Sequence, residues 1–94
     1  MGYNLLVQTE AIREIQEAFE WYEEQKKGLG YELIEEIGVC YEKLNTNPER
    51  YSCINQLYRR IKTNRFPYIL VYEIEDNDVI INSVRHIKRN PDSL

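Results

Sequence analysis

The sequence predicts an α+β domain with element order β-α-α-β-β-β, an antiparallel sheet with a helical hairpin packed on one face. Three observations predict it. A short alternating segment opens the chain at Tyr3, Leu5 and Val7. Apolar residues then recur at spacings of three and four through residues 10–44, interrupted once at Gly28-Leu29-Gly30. After Pro48 the periodicity shortens towards two, in three segments separated by turn residues.

Each element has its own signal. Tyr3, Leu5 and Val7 alternate with Asn4, Leu6 and Gln8, which suits a strand with one buried face. Thr9 follows as the expected N-cap of a helix over 10–27. Ile12, Ile15, Phe19 and Tyr22 form its apolar stripe, widened by Ala11, Ala18 and Trp21, with Glu10, Glu14, Glu17, Glu20 and Glu24 on the wet side. Gly28 and Gly30 permit the reversal into a second helix over 31–44, whose stripe is Leu33, Ile34, Ile37, Cys40, Tyr41 and Leu44. Gly38 weakens that helix locally and suggests a close helix–helix approach. Asn45, Asn47 and Pro48 end it.

Residues 48–55 read as a loop. Three strands are expected after it, over 56–62, 66–74 and 78–87, with turns at Thr63-Asn64-Arg65 and Asp76-Asn77. They make an antiparallel meander. Phe66, Tyr68, Leu70 and Tyr72 share a face of the middle strand, a pattern that reads as core, with base stacking by the tyrosines as the alternative.

Ninety-four residues are read as one domain over 1–94 with a modest core. No apolar run approaches the roughly 18 residues that cross a bilayer. The start Met-Gly-Tyr-Asn lacks a signal peptide's basic and apolar regions, so a cytoplasmic protein with no membrane partner is expected. Cys40 and Cys53 have no CxxC spacing and no neighbouring histidine, so free thiols are expected, with neither zinc nor any cofactor.

Charge divides the chain. Residues 1–49 hold eleven Asp/Glu against four Lys/Arg, whereas residues 50–94 hold eight Lys/Arg against five Asp/Glu. The sheet half therefore offers a cationic surface to phosphate or to an acidic peptide, or else the helices are simply acidic for solubility. Arg60 and Lys62 alternate with Arg59 and Ile61. The apolar company of Leu57 and Ile61 assigns Arg59 to the core side and points Arg60 and Lys62 outward. A period of two groups His86 with Val84, Asn82 and Ile80, and Arg85 with Ser83, Ile81 and Val79. Which of these groups faces the helices stays open. His86, the only histidine, is either a partly buried cap of the sheet or a proton-transfer group.

In order along the chain stand Glu20-x-Tyr22, Gly28-Leu29-Gly30, Asn47-Pro48-Glu49-Arg50-Tyr51, Arg59-Arg60, Arg65-Phe66-Pro67-Tyr68, Tyr72-Glu73-Ile74 and Val84-x-His86-x-x-Arg89-x-Pro91. This ordered set resembles the RelE/ParE family of bacterial toxins, closest to its ParE-like, plasmid-stabilisation branch. The resemblance implies a growth-inhibiting toxin of a type II toxin–antitoxin pair, held by a cognate antitoxin. That partner would cover the helical hairpin and the sheet's exposed edge. The cellular target would be DNA gyrase for a ParE-like member, or ribosome-bound messenger RNA for a RelE-like member. The assembled form would be a homodimer or a toxin–antitoxin hetero-oligomer.

Under the nuclease alternative the resemblance assigns catalytic roles to His86, Arg65 and Arg85. Substrate contacts would come from Arg60, Lys62, Arg59 and Arg89. Such metal-independent cleavage needs a base, an acid and cations for the pentavalent phosphorane. Strong nuclease members often end in a tyrosine. Here Ile87 follows His86, and the tail Pro91–Leu94 has no aromatic. The ParE-like reading therefore ranks first, and a member that only binds its antitoxin ranks behind both.

Overall fold

The computed structural model describes residues 2–88. Its elements are β1 (Asn4–Val7), α1 (Thr9–Gln25), α2 (Leu29–Thr46), a short 3-10 turn (Pro48–Arg50), β2 (Arg59–Lys62), β3 (Tyr68–Glu75) and β4 (Asp78–His86). The order matches the sequence expectation. The four strands lie in the order β1-β4-β3-β2. β2, β3 and β4 form the expected antiparallel meander, but β1 pairs with β4 in parallel, Asn4 opposite Asp78 through Val7 opposite Ile81. The sheet is thus mixed. Parallel strands need a long crossover, and here the chain passes through both helices and two strands before β4 returns beside β1.

The helix stripes meet the sheet largely as the periodicity requires. Ala11, Ala18 and Tyr22 of α1 and Leu33, Ile37, Cys40 and Leu44 of α2 are buried, against Ile61, Leu70, Tyr72, Val79, Ile81 and Val84 of the sheet. Phe66, Tyr68, Leu70 and Tyr72 are all buried, so the core reading of that face holds. Tyr22 lies edge-on to Phe66, with ring centroids 5.0 Å apart, an arrangement that favours aromatic pairs beyond their area. The Tyr72 hydroxyl donates to the Pro48 carbonyl at 2.6 Å. Burial pushes this phenol up to about 12, so it stays a donor and pins the segment after α2 to the sheet.

Three local expectations change. Thr9 lies inside the first turn of α1; Gln8 is the N-cap and offers no side-chain bond. α2 starts at Leu29, behind Gly28 in the left-handed region at φ 94°. Its free amides are capped from α1, since Glu23 Oε1 accepts from the Gly28 and Gly30 N–H groups at 2.8 Å each. The close helix approach falls at Gly30, where an added Cβ would sit 2.6 Å from the Phe19 carbonyl oxygen. At Gly38 nothing lies within 4 Å of such a Cβ.

These two glycines therefore respond oppositely to substitution. Gly38→Ala is expected to stabilise the free chain by about 0.5–1 kcal/mol, the helix-interior cost of glycine. Gly30→Ala is expected to cost about 1–3 kcal/mol through overpacking. Urea denaturation of both variants checks the pair, and a destabilised Gly38→Ala would contradict it.

Candidate functional site

A bulge in β4 decides where the candidate residues go. Tyr68 pairs with His86, Leu70 with Val84 and Val71 with Ser83, but Tyr72 then pairs with Ile81, so Asn82 is an extra residue. Its side chain donates to Glu73 Oε2 at 2.9 Å. The extra residue reverses the alternation. Val79 and Ile81 face the helices, and beyond the bulge Val84 and His86 do so, while Ser83 and Arg85 face away. A strict period of two had grouped His86 with Asn82 and Ile80; the bulge corrects that grouping.

On the helix side, His86 borders a cavity of about 400 Å³ with Arg13, Glu14, Glu17, Trp21 and Tyr68. Its ring lies edge-on to Tyr68 at 5.2 Å, and its Nδ1 accepts from the Lys88 N–H at 3.1 Å. On the far face, Arg60 pairs across the sheet with Val71 and Lys62 with Ile69, and Val71 and Ile69 continue to Ser83 and Arg85. Arg60, Lys62 and Arg85 therefore share the face away from the helices. Lys62 turns back on the hairpin, with Nζ donating to the Thr63 and Asn64 carbonyls at 3.0 and 3.4 Å.

Arg85 is held through α1. Its Nε donates to Ser83 Oγ at 2.7 Å, Ser83 Oγ donates to Glu14 Oε1 at 2.8 Å, and the Val84 N–H donates to the same oxygen at 2.9 Å. β1 ends opposite Ile81, so from there Glu14 supplies the acceptor that a neighbouring strand would have supplied. Arg85 Nη1 is buried and has no partner among the described residues.

The remaining basic candidates are engaged elsewhere. Arg59 lies on the core side as expected, and its Nη1 donates to the Glu49 and Tyr51 carbonyls at 3.0 and 2.9 Å. Arg65 clamps the β2–β3 turn to α2. Its Nη2 donates to Glu32 Oε1 at 2.7 Å and its Nε to Glu36 Oε2 at 3.0 Å, while its backbone N–H donates to Glu36 Oε1 at 2.8 Å. Arg89 and Pro91 lie outside the described residues. By register the structure puts Arg60, Lys62 and Arg85 on one sheet face, with the Lys62 ammonium turned back on the hairpin, and places His86, Arg65 and Arg59 elsewhere. Glu14, Ser83, Glu32 and Glu36 have no motif that could have announced them, because their roles depend on tertiary partners. Cys40 is buried and Cys53 exposed, both as free thiols. Among the described residues no group of three His, Cys, Asp or Glu is arranged for a metal. No helix there is long and apolar enough to cross a membrane.

With this geometry in view, residues 5–91 match the family model described as the ParE toxin of the type II toxin–antitoxin system parDE. The chain belongs to this family of type II toxin–antitoxin toxins. No curated protein matches the sequence. Among solved structures it is similar to the chromosomal ParDE toxin–antitoxin system of P. aeruginosa, with a TM-score of 0.78 and 11% identity over 89% of this chain and 95% of that one. It is also similar to a free arginine double mutant of the E. coli toxin RelE, with a TM-score of 0.72 and 21% identity over 97% and 90%. The toxin–antitoxin complex RelBE2 of Mycobacterium tuberculosis follows, with a TM-score of 0.62 and 20% identity over 92% and 99%. At these identities the likeness is one of fold.

The Arg65–Glu36 clamp generates a pH prediction. Burial pushes the Glu36 carboxyl up, but the Arg65 and Phe66 N–H groups and the Arg65 guanidinium outweigh it and hold it below its ordinary value. A depressed carboxyl stabilises fully above its unfolded pKa, and that contribution is lost as pH falls through the folded value. Glu36→Gln is expected to cost about 1 kcal/mol at neutral pH. Denaturation midpoints from about pH 7 to pH 3 should show the variant and the parent converge; a constant gap would contradict the clamp.

Proposed function

We propose that this toxin arrests growth as a non-enzymatic inhibitor of DNA gyrase and is neutralised by an antitoxin encoded beside it. The observation that carries the reading is the division at β4. His86 lies on the helix side, beside Tyr68 and α1, whereas Arg60, Lys62 and Arg85 lie on the other face. A ribonuclease needs its proton-transfer group and its phosphate-binding cations around one scissile bond. Arg65, the third candidate for chemistry, is taken up by Glu32 and Glu36. What remains suits gripping a large partner rather than cleaving one.

The antitoxin partner draws support from the family and from the relatives, among them the RelBE2 structure, which is a toxin–antitoxin complex. The helical hairpin and the outer edge of β1 are its proposed footing, since Leu6 and Ile12 are exposed there. One observation favours cleavage of ribosome-bound messenger RNA as the second reading. By register Arg60 and Arg85 share one sheet face, and guanidinium groups pair with phosphate oxygens in two bonds.

Induced expression in bacteria tests both. Growth arrest relieved by the adjacent short gene, intact transcripts and an induced DNA-damage response are the expected results, and His86→Ala should leave arrest unchanged. New transcript 5′ ends within codons, abolished by His86→Ala or Arg85→Ala, would overturn the gyrase reading. Absence of arrest would leave a member that only binds its antitoxin.

A further inference from the structure

The sheet face turned away from the helices carries both signs of charge and sorts them by end. Leu70, Tyr72, Val79, Ile81 and Val84 belong to the core, so the residues that alternate with them face away. Near the β3–β4 turn these are Glu73 and Glu75 of β3 and Asp78 of β4. At the other end stand Arg60, opposite Val71, and Lys62 and Arg85, both opposite Ile69. Leu6, 49% exposed, lies beside Ile80 on the same face.

A single copy leaves these charges unneutralised. None of the six enters an ion pair among the described residues. Where they bond within the chain the partners are neutral: Asn82 and Asn4 for Glu73 and Asp78, backbone carbonyls for Lys62, and Ser83 for Arg85. Glu75 stands directly opposite Asp78, and like charges facing each other across two strands cost stability. Val71, in the middle of the face, is already covered, so charge rather than apolar area distinguishes this surface. A polyanion would be repelled by one end and a polycation by the other. The surface that matches is the same face inverted. A two-fold axis in the plane of the sheet, across the strands, lays the acidic end of one copy over the basic end of the next and repeats the contact.

We propose that in the free toxin this face pairs two copies of the chain, acidic end over basic end, and so hides Arg60 and Arg85 from any target. The inference goes beyond the gyrase reading and does not depend on it. Strands about 4.8 Å apart that rise about 3.4 Å per residue make a face of roughly 400 Å² per copy, below the standard size of a stable interface. The dimer is therefore a weak one, favoured by concentration and loosened by salt.

Sedimentation equilibrium of the purified full chain, at low salt and over the micromolar to millimolar range, is expected to show monomer and dimer in exchange. High salt should shift the dissociation constant about tenfold towards monomer. Arg60 and Glu75 are both exposed strand positions. Arg60→Glu and Glu75→Lys each set like charge against like, and the two-fold makes each substitution act twice. Each variant alone should dimerise about tenfold more weakly, with its circular dichroism unchanged. Mixed in equal amounts the two should recover the parental association as a heterodimer, because one junction keeps the native charges and the other carries them exchanged. The neutral variants Arg60→Gln and Glu75→Gln control for misfolding, since they should weaken the dimer less and gain nothing on mixing. A monomer throughout the range would overturn the proposal. So would a dimer indifferent to salt and to both charge reversals, or two weakened variants whose mixture stays monomeric.

Discussion

The extra residue at Asn82 fixes the arrangement of everything that bears on function. Without it Val84 and His86 would share a face with Ile80, and Arg85 would point into the helices. With it, the β4 end closes the core through Val84, sets His86 beside Tyr68, and turns Arg85 to the opposite face. The bulge sits where β1 runs out. Val7 is the last β1 residue to pair, opposite Ile81, and Glu14 of α1 then bonds the Val84 N–H. An edge amide that a foreign strand would otherwise seek is thereby occupied within the chain.

The same carboxylate joins the two layers. Glu14 bonds Ser83, and Ser83 bonds Arg85, so the orientation of a guanidinium on the far face depends on a helix side chain. Elsewhere the internal ion pairs fasten turns and helix surfaces. Arg65 ties the β2–β3 turn to α2, and Arg13 braces α1 between Glu10 and Glu17. Such exposed pairs contribute little stability singly. Each arginine faces two carboxylates, so the hairpin stays acidic even where it is ion-paired. The molecule is two-sided, with an acidic hairpin and a sheet face bearing Arg60, Lys62 and Arg85.

Much of this was legible in the sequence. The stripes from Ala11 to Leu44 name most of the helix core, and Leu57-x-Arg59-x-Ile61 sorted Arg59 inward and Arg60 outward, although Leu57 itself is exposed. Phe66, Tyr68, Leu70 and Tyr72 read as core and are core. What failed to show were features set by long-range partners. A bulge changes no local composition, so periodicity carried His86 to the wrong group. β1 joins β4 across more than seventy residues, and four residues give no sign of which edge they choose. Ile12 and Ile34 fit the apolar period but sit at its margin and stay exposed. Gly38 carried the expected signal of close helix packing, yet the approach occurs at Gly30, because the hairpin turn brings α1 nearest α2 there. The family resemblance pointed to the right class of protein; it could not say which cations would be held by Glu32 and Glu36.

The placement of His86 on the helix side, apart from the basic sheet face, is the claim on which the functional reading turns. Nuclear Overhauser contacts from the His86 ring test it most directly. The account predicts contacts with the Tyr68 ring and with Ala18 and Trp21 of α1, and none with the side chains of Arg60 or Lys62. Contacts from the ring to Arg60 or Lys62, without those to α1, would contradict it.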